Sequence, residues 1–270
     1  MPQSRTGAFV AFRNDRLGGR LNAILTAMRL AEAYGADFHI FWSLSEESSA
    51  ELHCPEDLFS ADFMARHFLP REEGRRMVEN ALDIGALPRQ MTADDLRAGL
   101  AAGRDYLSTS ATEQLLLPWE TDADLAHLPQ IIGRIGFTPA VRDAMARIEG
   151  ALAGQSFSSY HLRRGDIIDD STLASHNLWS NKYIPRVIYE WHMKRMLQDG
   201  TGRIIVFSDA PAEAKAFASL SDRVSDFASL LGDLALTTLQ RDFLELYTMS
   251  RSERIFAPPG SAFSRLAAVI

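Results

Sequence analysis

Residues 156–166 read Ser-Phe-Ser-Ser-Tyr-His-Leu-Arg-Arg-Gly-Asp, a short β-type run that ends in an imidazole, two guanidinium groups and a carboxylate: His161, Arg163, Arg164 and Asp166. Fixed positive charge at the end of a buried strand suits a diphosphate, because guanidinium offers planar, bidentate donors and keeps its charge near neutral pH. Gly165 lies inside the cluster, where the backbone can turn sharply or approach a ligand closely. Alternation sends neighbouring strand side chains to opposite faces. If the strand persists through the pair, one arginine points into a cleft and the other binds elsewhere or shapes the loop. The plainer alternative is a structural ion pair at a strand terminus. Arg164-Gly165-Asp166 also matches a cell-adhesion tripeptide, which needs an exposed loop on a secreted chain, and neither is indicated.

Other polar groups collect where strands should end. Ser208-Asp209 follows a strong strand, and Gly260-Ser261-Ala262-Phe263-Ser264 precedes a helix whose amides could meet a phosphate. Capping is the competing role for Asp209, Ser261 and Ser264. Gly18-Gly19-Arg20-Leu21-Asn22 marks the first strand-helix junction, with a ligand-free tight loop as the alternative. Its spacing is neither the dinucleotide Gly-x-Gly-x-x-Gly nor a Walker A loop. Asp122-Ala-Asp124 could suggest a metal-binding pair, but such pairs are common by chance and helix capping is the favoured role. No compact His-rich metal spacing and no Gly-x-Ser-x-Gly elbow occurs, so a hydrolase triad has no local support.

The elements that must position these groups alternate. Ala8–Phe12 reads as a strand, Asn14–Gly19 as a turn-rich loop, and the helix from Arg20 carries Leu21, Ile24, Leu25, Met28 and Ala31 on one face, with Gly35 as its stop. Asp37–Trp42 completes a β-loop-α-β unit, the building block of parallel sheets. Residues 56–104 read as mostly helical, with Thr92 capping a helix near Asp94–Ala102. Tyr106-Leu-Ser is a short strand and 110–137 irregular. Thr138-Pro139 opens a helix that ends near Gly154. In the second half, strand 156–162 precedes a long loop and a helix over Lys182–Gln198. The strand Arg203–Phe207 is followed by a helix from Ala210. A helix over Leu236–Met249, a strand at Arg254 and a last helix over Phe263–Ile270 complete the pattern. The expected fold class is α/β, with domains at 1–154 and 155–270, each a doubly wound parallel sheet.

Composition bounds the function. The chain has 270 residues, 46% hydrophobic and 23% charged, enough apolar mass for one large or two small cores. Its net charge of -7 argues against a general nucleic-acid surface. Positive charge is carried by arginine, since the only lysines are Lys182, Lys194 and Lys215. Cys54 is the single cysteine, so neither an internal disulfide nor a Cys-rich zinc site forms. No signal-peptide core and no membrane-spanning run is visible. The expectation is a soluble, cytoplasmic protein with no integral membrane segment.

At His161-Leu-Arg-Arg-Gly-Asp166, then Val206-Phe-Ser-Asp209, then Gly260-Ser-Ala-Phe-Ser264, the chain resembles GT-B glycosyltransferases of the fucosyltransferase superfamily that carry a His-x-Arg-Arg-Gly-Asp motif. These include α-1,2- and α-1,6-fucosyltransferases and, more distantly, protein O-fucosyltransferases. Gly18-Gly19-Arg20-Leu21-Asn22 is similar to the family's Gly-rich N-terminal loop, with Leu21-Asn22 in place of the usual Gly-Asn. The likeness covers the ends of the chain better than its middle, and members commonly continue beyond the point where this chain stops. The resemblance implies two Rossmann-like domains facing a cleft, the first on the acceptor side and the second binding the nucleotide sugar. It also implies inverting transfer of fucose from GDP-fucose to a glycan hydroxyl, with no obligatory metal or further cofactor. Arg163 and Arg164 would engage the donor diphosphate. His161, Gly165, Asp166, Asp209, Ser261 and Ser264 would line the donor pocket, joined by Gly18, Gly19 and Asn22 from the first half. The residues themselves leave the catalytic base open among Asp169, Asp170 and His176, with Asp170 the candidate. They also leave room for a non-catalytic nucleotide-sugar binding module, and for a metal-dependent sugar transferase using Asp122 and Asp124.

Overall fold

The computed structural model describes residues 6–44, 54–109, 116–164, 184–200 and 202–270. Two four-stranded sheets, every pairing parallel, establish the α/β class, with strand orders β2-β1-β4-β3 and β7-β6-β5-β8. They lie in two compact units. The first comprises Met1–Val141 with Thr237–Phe243 and Val269–Ile270, and the second Arg142–Leu236 with Leu244–Ala268. The division falls inside the helix Pro139–Leu152.

In the first unit, β1 (Ala8–Phe12) is flanked by β2 (Asp37–Phe41) and β4 (Tyr106–Ser108), with β3 (Leu82–Asp83) outermost. Helix α1 (Leu17–Tyr34) ends at Gly35, whose φ of 64° only glycine adopts at little cost. Two expectations about α1 need correction. It begins at Leu17, so Gly18 and Gly19 belong to its first turn rather than to a loop. It is also buried all round from Leu17 to Ala31, so Arg20, Asn22, Thr26 and Arg29 are inside along with the apolar face. The carboxylate of Asp15 explains the second glycine. A Cβ on Gly19 would lie 2.3 Å from Asp15 Oδ2.

The remaining helices of this unit are α2 (Ala61–His67), α3 (Arg71–Asn80), α4 (Ala93–Ala101) and α5 (Leu128–Ile132). Thr92 and Asp95 form the capping box of α4. The stretch expected to be irregular contains α5 and a 3-10 turn over Asp122–Leu125. There Asp124 accepts the Thr121 backbone amide at 2.8 Å, a capping role. β3 escaped the sequence pattern because two residues carry no alternation.

The second unit holds α6 (Pro139–Leu152) from Arg142 onward, β5 (Phe157–Leu162), α7 (Arg186–Gln198), β6 (Arg203–Ser208), α8 (Pro211–Ala218), β7 (Val224–Asp226) and α9 (Ala228–Leu231). It continues through α10 (Thr238–Ser250) from Leu244, β8 (Arg254–Phe256) and α11 (Ala262–Ala267). Tyr160 and Leu162 of β5 pack with Tyr189, Met193 and Met196 of α7 and Phe217 of α8 in one buried cluster. Helix α7 starts at Arg186, later than its expected start, because Pro185 is extended at the cap (ψ 141°). Helix α11 closes at Ala267 rather than running to Ile270. Among the described residues, no helix is long and apolar enough to cross a membrane.

One ion pair ties the irregular stretch to α1. Arg29, 5% exposed, forks onto both carboxylate oxygens of Glu120, at 2.6 and 3.0 Å, while Glu120 also accepts the Leu117 amide at 2.8 Å. Removing one member of a buried pair leaves the other charge desolvated. Glu120→Ala should therefore destabilise the protein by about 3 kcal/mol, measured as a lowered urea midpoint. An unchanged midpoint would remove this pair from the forces that hold residues 117–120.

Candidate functional site

Open parallel sheets bind ligands beyond the carboxyl ends of their strands, at the point where strand order reverses. In the second sheet the chain steps from β5 to β6 to β7 and then returns to β8 on the other side of β5. The reversal lies between β5 and β8, and the residues that the sequence singles out lie just past the carboxyl ends of β5 and β6 and at the start of α11.

His161 is the fifth residue of β5, on the opposite face from Tyr160 and Leu162, and is buried. Its Nδ1 lies 2.5 Å from Ser264 Oγ, in the first turn of α11, and its ring sits 5.9 Å from that of Phe263. Ser261 is the cap of α11: its hydroxyl accepts the Ser264 amide at 3.3 Å and the Ser264 hydroxyl at 3.1 Å. His161 Nδ1 and the Ser264 hydroxyl share one hydrogen bond, in which either can be the donor according to the ring tautomer. The capping role thus holds for Ser261, and the same hydroxyl pair orients the histidine.

The strand stops at Leu162, so the two arginines leave it in different environments. Arg163 is half-buried. Arg164 is 7% exposed, and its Nη1 donates to the Ile184 carbonyl at 3.1 Å. Asp209, just past β6, accepts the Arg164 backbone amide at 2.7 Å. Ser208 Oγ accepts the Ala210 amide at 3.0 Å and shapes the same corner. Burial pushes the Tyr189 hydroxyl above its ordinary pKa, with the Arg163 backbone amide and the Arg164 charge pulling it down. Tyr189 therefore stands at this corner as well, a position that only its place on α7 reveals.

His161, Arg163, Arg164, Asp209, Ser261 and Ser264 are thus all carried by the carboxyl edge of the second sheet. Gly165, Asp166 and Asp170 lie outside the described residues, as do Asp169 and His176. Gly18, Gly19 and Asn22 belong to the first unit, at the start of α1.

The first sheet reverses between β1 and β4, and its edge is basic too. Arg13 donates to the Thr109 carbonyl at 2.9 Å and pairs with Asp15 at 2.8 Å. Arg20, 2% exposed, donates to the Asp15 carbonyl at 2.7 Å and the Ser43 carbonyl at 2.8 Å, with its guanidinium 4.7 Å from the Trp42 ring centre. Burial brings the Arg20 pKa down to about 10, against the attraction of Asp15 and with the repulsion of Arg13. The sequence signal that could have found this cluster is Arg13-x-Asp15 directly after β1. Among the described residues, no group of three or more His, Cys, Asp or Glu side chains is placed to hold a metal ion.

No protein-family model and no curated protein matches the sequence. The fold does have counterparts among solved structures. The fucosyltransferase NodZ from Bradyrhizobium superposes with a TM-score of 0.57 at 12% identity, over 98% of this chain and 93% of that one. NodZ α-1,6-fucosyltransferase soaked with GDP-fucose gives 0.54 at 14% identity, over 98% and 92%. POFUT1 in complex with GDP gives 0.52 at 11% identity, over 97% and 94%. The chain has the GT-B fold of these fucosyltransferases.

The Asp209 contact is a charge-assisted hydrogen bond to a backbone amide. Asp209→Ala should lower stability by about 2 kcal/mol, and Asp209→Asn by less, in urea titrations monitored by circular dichroism. Equal midpoints for all three proteins would show that this side chain does not hold the Arg163-Arg164 corner.

Proposed function

We propose that this chain is a glycosyltransferase that moves a fucosyl group from GDP-fucose to a glycan hydroxyl, with inversion at the anomeric carbon and without a divalent metal. The observation that carries the reading is the gathering of Arg163, Arg164, His161 and Asp209 at the carboxyl edge of the second sheet, on a fold shared with fucosyltransferases solved with GDP and GDP-fucose. In this reading residues 155–270 bind the nucleotide sugar and residues 1–154 serve the acceptor. A cytoplasmic setting suits a chain with a single cysteine.

The chemistry divides between the arginines. Cleavage of the bond between the anomeric carbon and the β-phosphate oxygen leaves its electron pair on GDP. The half-buried Arg163 guanidinium donates to that growing charge, where a preorganised donor lowers the barrier. Arg164 is a positioning residue, since its guanidinium reaches the Ile184 carbonyl and its amide is held by Asp209. His161, held by the Ser264 and Ser261 hydroxyls, would line the nucleotide pocket. Gly165 and Asp166, next in sequence, and, in the first unit, Gly18, Gly19 and Asn22 stand as further candidates for donor binding. The sugar passes through an oxocarbenium-like state. The acceptor oxygen attacks the opposite face and forms the new bond, and its proton passes to a general base, for which Asp170 is the candidate.

Calorimetry with GDP tests the binding half. Arg163→Ala should weaken GDP by about 2 kcal/mol, roughly 30-fold in Kd, and abolish fucosyl transfer with the circular dichroism spectrum unchanged. Full activity in that variant would end its assigned role. GDP bound with no GDP released from GDP-fucose under any acceptor would reduce the chain to a binding module. Activity lost to chelator and restored by manganese would replace the metal-free mechanism. A panel of GDP-fucose, GDP-mannose and UDP-sugars decides the donor.

A further inference from the structure

The carboxyl edge of the first sheet holds donors that its own chain leaves unused. Arg20 lies in the first turn of α1 and is 2% exposed, with Nε and Nη1 on the carbonyls of Asp15 and Ser43. Its third nitrogen, Nη2, is buried with no hydrogen-bond partner among the described residues, and so is Nε of Arg13. Arg13 spans the reversal itself, from the end of β1 to the Thr109 carbonyl just past β4. A buried donor without an acceptor is costly. Two of them at one reversal point call for an acceptor that the described chain does not supply.

Both arginines line one notch, whose walls are otherwise apolar, with Phe12, Ile24, Phe41 and Trp42 among them. Its volume is about 10 Å3, room for a single oxygen atom. The charged groups of this wall, Arg13 and Arg20, are both cations, while Asp15 pairs with Arg13 from outside it. A trapped water would meet a donor and leave the two charges as they are. An anionic oxygen meets both demands, and among apolar walls its attraction to a guanidinium is strengthened. The lowered pKa of Arg20 agrees, since there burial outweighs the help that Asp15 gives. The start of a long helix favours negative charge as well.

We propose that this notch is a subsite for one oxygen of an acidic group, a carboxylate or a sulfate, carried by the sugar acceptor. The assignment rests on the transferase reading, in which the first half of the chain serves the acceptor. The substrate class is accordingly an acidic glycan rather than a neutral one. A donor phosphate offers the same chemistry, and the experiment separates the two sources.

The test titrates the full chain with methyl β-glucuronide and methyl β-glucoside, with and without saturating GDP, by ligand-observed NMR. The two probes differ only in a carboxylate in place of a hydroxymethyl group. The glucuronide should bind at least about tenfold more tightly, as a charge-assisted hydrogen bond implies, and inorganic sulfate should displace it. Arg20→Gln should remove the preference, with circular dichroism reporting whether its fold is kept. Arg13→Gln, at the more open of the two positions, should reduce the preference at least about threefold and leave GDP affinity unchanged. Equal or absent binding of the two glycosides overturns the subsite and leaves a trapped water in the notch. A preference untouched by Arg13→Gln overturns it too. A preference seen without GDP and lost with it overturns the acceptor role, because the donor phosphate then takes the same place. Absence of GDP binding with the preference intact overturns the transferase reading, and the acceptor role with it, while the anion site stands.

Discussion

A guanidinium group taken out of water keeps its charge, and the surrounding chain must supply acceptors for it. Among the described residues three arginines impose that demand: Arg20 at 2%, Arg29 at 5% and Arg164 at 7% exposed. Each is met by chain that is irregular or between elements. Arg20 takes the carbonyls of Asp15 and Ser43, Arg29 takes the Glu120 carboxylate, and Arg164 takes the Ile184 carbonyl. Backbone outside the sheets and helices is thereby given defined positions without regular secondary structure of its own. The polar edges of both sheets depend on this demand for acceptors.

The two sheets repeat one arrangement with different outcomes. Each reverses strand order beside its first strand, and each carries an arginine pair at the carboxyl edge. In the first unit Asp15 stands beside Arg13 and Arg20, so much of the positive charge is answered internally. In the second, Asp209 spends one carboxylate oxygen on a backbone amide, while Arg163 stays half-buried at the corner.

The serine pair shows how one residue can satisfy two readings. Ser261 is a helix cap by geometry, as its place before α11 suggests. The same oxygen also receives the Ser264 hydroxyl, which meets His161. A cap at a topological reversal is therefore also part of the chain of hydrogen bonds that holds an imidazole in place. Capping and ligand orientation need the same short hydroxyl side chain in the same place, so sequence alone could not separate them.

The α/β class, the parallel pairing, the position of β5 and the grouping of His161, Arg163, Arg164 and Asp209 at strand ends follow from residue order, because hydrophobic runs, glycines and prolines act over a few neighbouring positions. Short strands such as Leu82–Asp83 and Val224–Asp226 left no such trace, since two or three residues define no period. Which arginine is enclosed and which stays half-open was decided by tertiary structure. So was the burial of α1 on every side, and so was the place of Tyr189 beside Arg163. These depend on acceptors and walls supplied by segments distant in sequence, from Ile184 to Asp209 and Glu120, and no local pattern records where those segments return.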